Sequence, residues 1–196
     1  MSDDVRVLRA DDPVAVQLEA EGWTVAARSW GAELDATAAE ESRLASFIEN
    51  VRPLGLVREL NPDDVGAILQ LDAATAGHYP GSIATRHDPL DRDRATPSST
   101  RIASGFCTSE GTLVAVTFAD LDGDRAEVDF TVVAREWRGK GIGTALKASA
   151  VLRMRARGIR HLRTGGSADN GPIIAVNSTL GFVIDEHWIT LERPAG

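Results

Sequence analysis

The stretch from Glu127 to Thr144 reads Glu-Val-Asp-Phe-Thr-Val-Val-Ala-Arg-Glu-Trp-Arg-Gly-Lys-Gly-Ile-Gly-Thr. Its first seven residues have the alternation and β-branched side chains of a strand, and a helical pattern follows its last glycine. The three glycines between them allow the backbone to turn so that several N–H groups point to one side. The start of the helix adds about half a positive charge at the same place. The stretch therefore predicts a strand, a phosphate-binding loop and a helix.

Two familiar phosphate-binding motifs do not fit residues 138–144, which we call the glycine loop. A P-loop requires Ser or Thr directly after Gly-Lys, and Gly141 stands there instead. A dinucleotide fingerprint from Gly139 would need a glycine at the last position of the loop, which is a threonine. The pattern that remains is Arg-x-x-Gly-x-Gly, from Arg138 to Gly143.

Positive charge is concentrated around the glycine loop. The segment from Arg135 to Arg163 holds nine Lys or Arg residues and a single acid, a net charge of +8 in a chain whose net charge is −8. Such a segment favours one anionic ligand bound at one place, although an Arg-rich solvated helix face would give the same pattern.

The patterns on both sides of this stretch predict a mixed α/β chain. Strand patterns bounded by turn residues precede the loop, and helix and strand patterns alternate after it. The predicted strands cover residues 5–9, 23–34 (one strand or two), 54–60, 101–108, 112–121, 126–133, 159–164 and 182–192, and the predicted helices cover 12–22, 36–51, 61–77, 143–157 and 172–179. Residues 78–100 lack periodicity and predict an irregular surface segment whose length makes it a candidate for binding.

The two ends of the chain resemble each other. Val5-Arg-Val-Leu-Arg9 and Ile159-Arg-His-Leu-Arg163 each precede a helix, a Gly-aromatic pair and a strand with Trp and Glu. This similarity predicts that residues 1 to about 35 are a shortened copy of the C-terminal β-α-β unit, with coincidence as the alternative because the spacings differ.

Composition excludes several classes of protein. The chain has 196 residues, 43% of them apolar, and its single cysteine, Cys107, excludes an intramolecular disulfide framework and a thiolate zinc site. Its four histidines lack metal-ligand spacing, so we expect no metal. An acidic chain poor in aromatic residues is not typical of a nucleic-acid binder. The acidic N-terminus and the absence of a long apolar run predict neither export nor a membrane span, so we expect a cytoplasmic protein.

The pattern of Arg138, Gly141 and Gly143, in this order of elements, resembles the GNAT superfamily of N-acetyltransferases. The resemblance runs from about Leu54 to Pro194 and includes an asparagine after the next strand and a Leu-Gly-Phe ending of the last helix at 180–182. It implies an α/β (α+β) fold with a mostly antiparallel central sheet flanked by helices. It also implies acetyl-CoA as the co-substrate. Residues 51–196 would then be the acetyltransferase domain, and residues 1–50 an N-terminal extension, a truncated GNAT-like half packed against it as a β-α-β remnant.

The resemblance assigns coenzyme contacts residue by residue. The strand that ends at Val132 and Val133 is expected to separate from its neighbour and to offer backbone groups to the pantetheine arm, while both valine side chains belong to the core. Backbone N–H groups of the loop are expected to hold the pyrophosphate, and two asparagines occupy positions where the family often has polar coenzyme contacts. The expected set is Val132, Val133, Arg138, Gly139, Lys140, Gly141, Ile142, Gly143, Thr144, Asn170 and Asn177.

Acetyl transfer to an amine needs a proton acceptor for the amine and, for the departing thiolate, a proton donor. Glu127 matches the strand position at which several family members keep a catalytic glutamate, and Asp129 is the second candidate. Period-two alternation places both carboxylates on one face with Thr131 and Val133, and pairing with arginines is the alternative role for the two acids.

One position departs from the family's pattern. Many members have a tyrosine as general acid where Asn177 stands, and an amide cannot protonate a thiolate. Tyr79, the only tyrosine, is a candidate substitute, although a packing or surface role fits it better. The departure leaves a non-catalytic acyl-CoA-binding or sensing module open as a second function.

The resemblance implies a primary amine as acceptor, on a small molecule or on a protein. The acidic surface outside the coenzyme segment favours a cationic acceptor. A third reading is an interaction protein in which the N-terminal segment mediates a homodimer.

Overall fold

A computed structural model of the protein describes residues 4–78, 85 and 87–194. Eight strands form one sheet: β1 (Val5–Arg9), β2 (Thr24–Asp35), β3 (Gly55–Glu59), β4 (Arg101–Thr108), β5 (Leu113–Asp122), β6 (Arg125–Val133), β7 (His161–Ser167) and β8 (Val183–Glu192). Their order is β1-β8-β2-β7-β6-β5-β4-β3. Only the β6/β7 pair is parallel among the pairs in the described residues, so the predicted mixed, mostly antiparallel fold is confirmed.

Helices cover both faces of the sheet. They are α1 (Pro13–Ala20), α2 (Glu41–Val51), α3 (Val65–Thr75), α4 (Arg92–Ala95), α5 (Ile142–Ala156) and α6 (Gly171–Leu180). On one face, α2, α5 and α6 bury a core that includes Leu44, Met154 and Leu180. On the other face, α3 and α4 pack over Phe118 and Phe130. Helix α1 has its own small core against the β1/β8 end of the sheet.

Local signals account for most element boundaries. Helix α1 begins where the Asp12 side chain accepts a hydrogen bond from Val14 N (2.9 Å), as expected of an Asp-Pro helix start. Helix α2 begins five residues later than predicted because Asp35 forms a turn instead, accepting hydrogen bonds from the backbone N (2.8 Å) and hydroxyl (2.6 Å) of Thr37. These hydrogen bonds lower the pKa of Asp35.

The N-terminal strands are part of the sheet. Strand β2 lies between β7 and β8, pairing with β7 from Ser29 to Asp35 and with β8 from Thr24 to Glu33. Strand β1 covers the outer edge of β8. The last strand of the sequence therefore has an N-terminal strand on each side.

Two irregularities of β6 shape the centre of the sheet. Its parallel pairing with β7 stops at Val128 and Thr164, although both strands continue beyond that point. A β-bulge follows directly, because Val128 pairs with Ala119 and Phe130 with Phe118, which leaves Asp129 as the extra residue.

The bulge makes the period-two expectation wrong. Glu127 pairs with Asp120 and Thr131 with Thr117, and positions 120 and 117 of β5 point to opposite faces. Glu127 is therefore on the α3 face of the sheet, and Thr131 and Val133 are on the α5 face. The inserted residue exchanges the two faces for every position after it.

Candidate active site

The glycine loop ends β6 and begins α5. Gly139 and Gly141 have φ values of +72° and +80°, a conformation that residues with a Cβ rarely adopt. Gly141 is the N-cap of α5 and has no side chain that could cap the helix. As a result, no backbone N–H from Gly139 to Thr144 donates to an acceptor within the described part of the chain. Six N–H donors at a helix N-terminus form a site that suits a phosphate or pyrophosphate group.

The cations of the segment 135–163 are less concentrated than the sequence indicates. Arg153 and Arg157 bind Glu59, at 2.6 and 2.7 Å, and Arg163 binds Asp185 at 2.6 Å. In the loop itself, the Arg138 Nε atom donates to Val133 O at 2.9 Å. The Lys140 ammonium lies 4.5 Å from the centre of the Trp137 ring. Only some of the cations of the segment 135–163 therefore remain unpaired near the free N–H groups of the glycine loop.

A cleft of about 510 Å³ opens where β6 and β7 diverge. One wall consists of Glu127–Phe130 and another of Gly165–Ser167, and residues of the segment 85–94 close a third side. Trp30 reaches the cleft from β2, packs against Gly166 and donates its indole N–H to Ser167 O at 3.1 Å. Gly166 leaves the space that this indole occupies, and Gly165 allows the close approach of the Trp30 backbone.

Glu127 and Asp129 both line the cleft, but they differ in their partners. Asp129 accepts a hydrogen bond from Arg101 at 2.6 Å, and Arg101 also binds Asp120. Burial opposes the charged guanidinium, but the hydrogen bonds to the two carboxylates outweigh it and raise the pKa of Arg101. Within the described residues, no cation pairs with Glu127. Glu127 therefore has the carboxylate that is available to a ligand.

The two predicted asparagines occupy different places. Asn170 lines the cleft and caps α6, its side-chain oxygen accepting from Ile173 N at 3.3 Å. Asn177 is 3% exposed and lies with Trp30 and Phe182 in a separate cavity of about 240 Å³. Neither atom of its side-chain amide has a hydrogen-bond partner.

The remaining predicted coenzyme residues lie at the end of β6. The Val132 side chain is buried in the α3-side core, as expected, and the Val133 side chain packs near α5. Ile142 is buried against α2 and β4. The predicted roles of the Val132 and Val133 backbone groups stay predictions. Tyr79 lies outside the described residues.

The sequence analysis missed three groups near the cleft. His87 lines it and binds the buried Asp72 at 2.6 Å, and its ring lies 4.3 Å from that of Phe130. An acid on the buried face of α3 was the signal for this pair, since Asp72 falls at helical spacing with Ile68. Arg94 lines the same cleft from α4. The segment that holds His87 and Arg94 has no periodic pattern, so neither residue could be placed.

Lys147 is the third missed group. Its side chain on α5 is 2% exposed, and within the described residues its ammonium has one hydrogen bond, to the Thr164 hydroxyl at 3.3 Å. Burial of the ammonium lowers the pKa of Lys147 to about 7. Thr164 is the last β7 residue that pairs with β6, so this amine lies beneath the point where the strands diverge.

Within residues 4–78, 85 and 87–194, no three His, Cys, Asp or Glu side chains come together as metal ligands would. No helix in the described part of the chain has the length and apolar character needed to cross a bilayer.

Solved structures with the same fold are numerous. A GCN5-related N-acetyltransferase from Sphaerobacter thermophilus superposes with a TM-score of 0.66 at 16% identity, over 96% of this chain and 58% of that chain. A tandem GNAT protein from the clavulanic acid biosynthesis pathway has a TM-score of 0.65 at 21% identity, over 98% of this chain and 65% of that one. A GCN5-related N-acetyltransferase from Kribbella flavida gives 0.67 at 14% identity, over 98% and 68%. At these identities the similarity shows the fold.

The first two of these relatives are longer than this protein, which spans less than two thirds of each. No curated protein matches the chain in sequence. A family model described as the acetyltransferase (GNAT) family matches residues 67–182, more than half of the chain. This match agrees with the divergence of β6 and β7 and with the free N–H groups of the glycine loop. The protein therefore belongs to the GNAT family of acetyltransferases.

Proposed function

We propose that the protein transfers the acetyl group of acetyl-CoA to a primary amine by direct attack, with a carboxylate as proton acceptor. The observation that carries the proposal is the position of two features on β6. The unpaired carboxylate of Glu127 faces the cleft, and the free N–H groups of the glycine loop lie at the end of the same strand. The carboxylate that could accept a proton and the N–H groups that could bind a phosphate thus lie along the same strand.

The residues fit a coenzyme A ester at both ends. The N–H groups of residues 139–144 would hold the pyrophosphate, and a side chain at Gly141 would enter the space that the phosphate needs. The unpaired edges of β6 and β7 beyond Val128 and Thr164 would receive the pantetheine arm, with the backbone of Val132 and Val133 on one side. Asn170 would contact the coenzyme from the start of α6.

Glu127 is the proposed base, acting directly or through a water molecule. It removes a proton from the amine as the nitrogen attacks the thioester carbon, and the carbon–sulfur bond then breaks to release the thiolate. Asp129 is the second candidate, but its carboxylate already accepts a hydrogen bond from Arg101 at 2.6 Å. This contact suits Asp129 to positioning Arg101.

A non-catalytic acyl-CoA-binding module is the alternative. The buried and unpartnered amide of Asn177, at the position where many family members have a tyrosine, favours it. A transferase would release free coenzyme A when an amine is added, and a binding module would not.

A thiol-release assay with acetyl-CoA and a panel of primary amines tests the proposal. We expect release of coenzyme A that depends on the amine and exceeds the hydrolysis measured without amine. Calorimetry with coenzyme A alone measures binding separately. Tight binding without amine-dependent release for any acceptor would support the binding module and contradict the transferase.

A further inference from the structure

Arg94 is a cation of the cleft that no carboxylate of the described residues neutralises. It belongs to α4, and its backbone oxygen accepts a hydrogen bond from Arg101 Nε at 2.9 Å, which fixes the position of α4 beside the Asp129 carboxylate. The residue is half-buried, and it lines the same cleft as Glu127. Within the described residues, its guanidinium has neither an ion pair nor a hydrogen bond.

The neighbouring Arg101 differs from Arg94 in that its guanidinium is bonded to carboxylates. Arg101 binds Asp120 and Asp129 with three contacts of 2.6 to 2.7 Å, so its donors are occupied by the protein. Asp88 and Glu127 also line this cleft, and neither of them forms an ion pair with Arg94. The five N–H donors of Arg94 are thus available to a ligand, and their planar arrangement matches a carboxylate.

Strands β1, β2 and β8 supply apolar side chains to the lining of the cleft. Val7 and Trp188 line the cleft, together with Trp30. Both indole N–H groups are already bonded, that of Trp30 to Ser167 O at 3.1 Å and that of Trp188 to Glu186 at 3.3 Å. The two rings therefore offer apolar surface and no further hydrogen bond.

We propose that the acceptor is an amino carboxylate with an apolar body, whose carboxylate binds Arg94 and whose amine faces Glu127. The proposal rests on the transferase function proposed above. The apolar body would lie against Val7 and Trp188, so β1 and β8 contribute to acceptor specificity. Arg94 is a binding residue here and takes no part in proton transfer.

Binding of two acetylated compounds tests the proposal without requiring turnover. N-Acetylphenylalanine has the carboxylate, and N-acetylphenethylamine is the matched compound without it. In calorimetry with the coenzyme A-loaded protein, we expect the first compound to bind at least about tenfold more tightly, as a charge-assisted bidentate contact would give. Arg94→Gln should abolish this preference, and Arg94→Lys should restore part of it.

Arg92→Gln is the matched control, because Arg92 is on the same helix, is exposed and does not line the cleft. It should leave the preference unchanged. Absence of binding by N-acetylphenylalanine, a preference below about threefold in the unaltered protein, or an unchanged preference in Arg94→Gln would each overturn the assignment.

Turnover separates this proposal from the proposed function. If phenethylamine and phenylalanine are both acetylated, Arg94→Gln should lower kcat/KM about tenfold or more for phenylalanine and less than about threefold for phenethylamine. Equal losses for both amines would contradict a role in carboxylate recognition. If no amine of the panel is acetylated while the carboxylate preference in binding is present, the transferase function fails and the carboxylate site stands.

Discussion

The Arg101 guanidinium lies 2.6 Å from the Asp129 carboxylate, at the residue that β6 has in excess over β5. The bulge thus turns Asp129 toward a cation, while Glu127, two residues earlier, faces the cleft without one. The sequence makes these two acids equivalent, but one of them, Asp129, is the inserted residue of the bulge, and their expected roles differ accordingly.

The first prediction concerns these two acids. Glu127→Gln keeps the shape and removes the basicity, so kcat should fall by about 100-fold or more while coenzyme A affinity stays the same. Asp129→Asn should have a smaller effect on kcat, since it weakens only the contact with Arg101. Steady-state kinetics and calorimetry on both variants measure this. Activity in Glu127→Gln combined with inactivity in Asp129→Asn would reverse the assignment.

The second prediction concerns the glycine loop. Gly141→Val should abolish binding of coenzyme A, because a side chain strains a backbone with φ near +80° and so disturbs the arrangement of the N–H groups in the loop. The fold should persist, since a Cβ at this position would come no closer than 3.7 Å to Val51. Gly66→Ala, on α3 and with open space around the added Cβ, is the control that should bind normally. Unchanged affinity in Gly141→Val would remove the loop from the coenzyme site.

The third prediction concerns Lys147 and pH. The folded protein releases the Lys147 proton near pH 7, whereas the unfolded chain holds it until about pH 10.5, so raising the pH within this window favours the folded state. Below pH 7 the charged amine is buried, at a cost on the order of 5 kcal/mol as an upper limit. Lys147→Met should therefore be the more stable protein at pH 6, and the difference should shrink by pH 9. Urea unfolding at both pH values measures it, and a difference independent of pH would contradict burial of the charged form.

The fourth prediction concerns the N-terminal strands. Because β2 pairs on both edges and Trp30 is 4% exposed, residues 4–35 should resist proteolysis as well as the rest of the sheet does. Trp30→Ala should lower the free energy of unfolding by about 3 kcal/mol or more through loss of buried area. Limited proteolysis followed by mass spectrometry measures the first effect. Rapid removal of this segment from the native protein would show that β2 is not held in the sheet.

Local chemistry made the centre of the fold predictable. The strands β4, β5 and β6 lie within one residue of their predicted limits, since tight turns with glycine separate them, and α5 ends just before Gly158 as expected. The bulge was not predictable, because one added residue changes neither composition nor the local strand pattern. Placement of β2 between β7 and β8 depends on pairing across more than 100 residues, which no local pattern encodes.

Some residues of the candidate site were likewise predictable from the sequence, and others were not. The glycine loop was recognisable from its spacing alone, and so was Glu127 as an acid on a central strand. His87 and Arg94 belong to a segment without periodicity, and their contacts with Asp72 and Arg101 join parts of the chain that no local pattern relates. The contact of Arg101 with Asp129 likewise joins residues of two different strands. Tertiary structure brings these residues together, so the sequence alone could not predict that they meet.

The place of β8 in the sheet has a consequence for the order in which the protein can fold. β8 is the last strand of the sequence, and both of its neighbours, β1 and β2, belong to the first 35 residues. During synthesis these two strands emerge long before β8 is made. Until then their backbone N–H and C=O groups lack their β8 partners, and the Trp30 ring stays exposed. Such non-local pairing predicts slow closure of this end of the sheet and a period of exposure to aggregation, while the β4–β6 meander can form from neighbours in sequence.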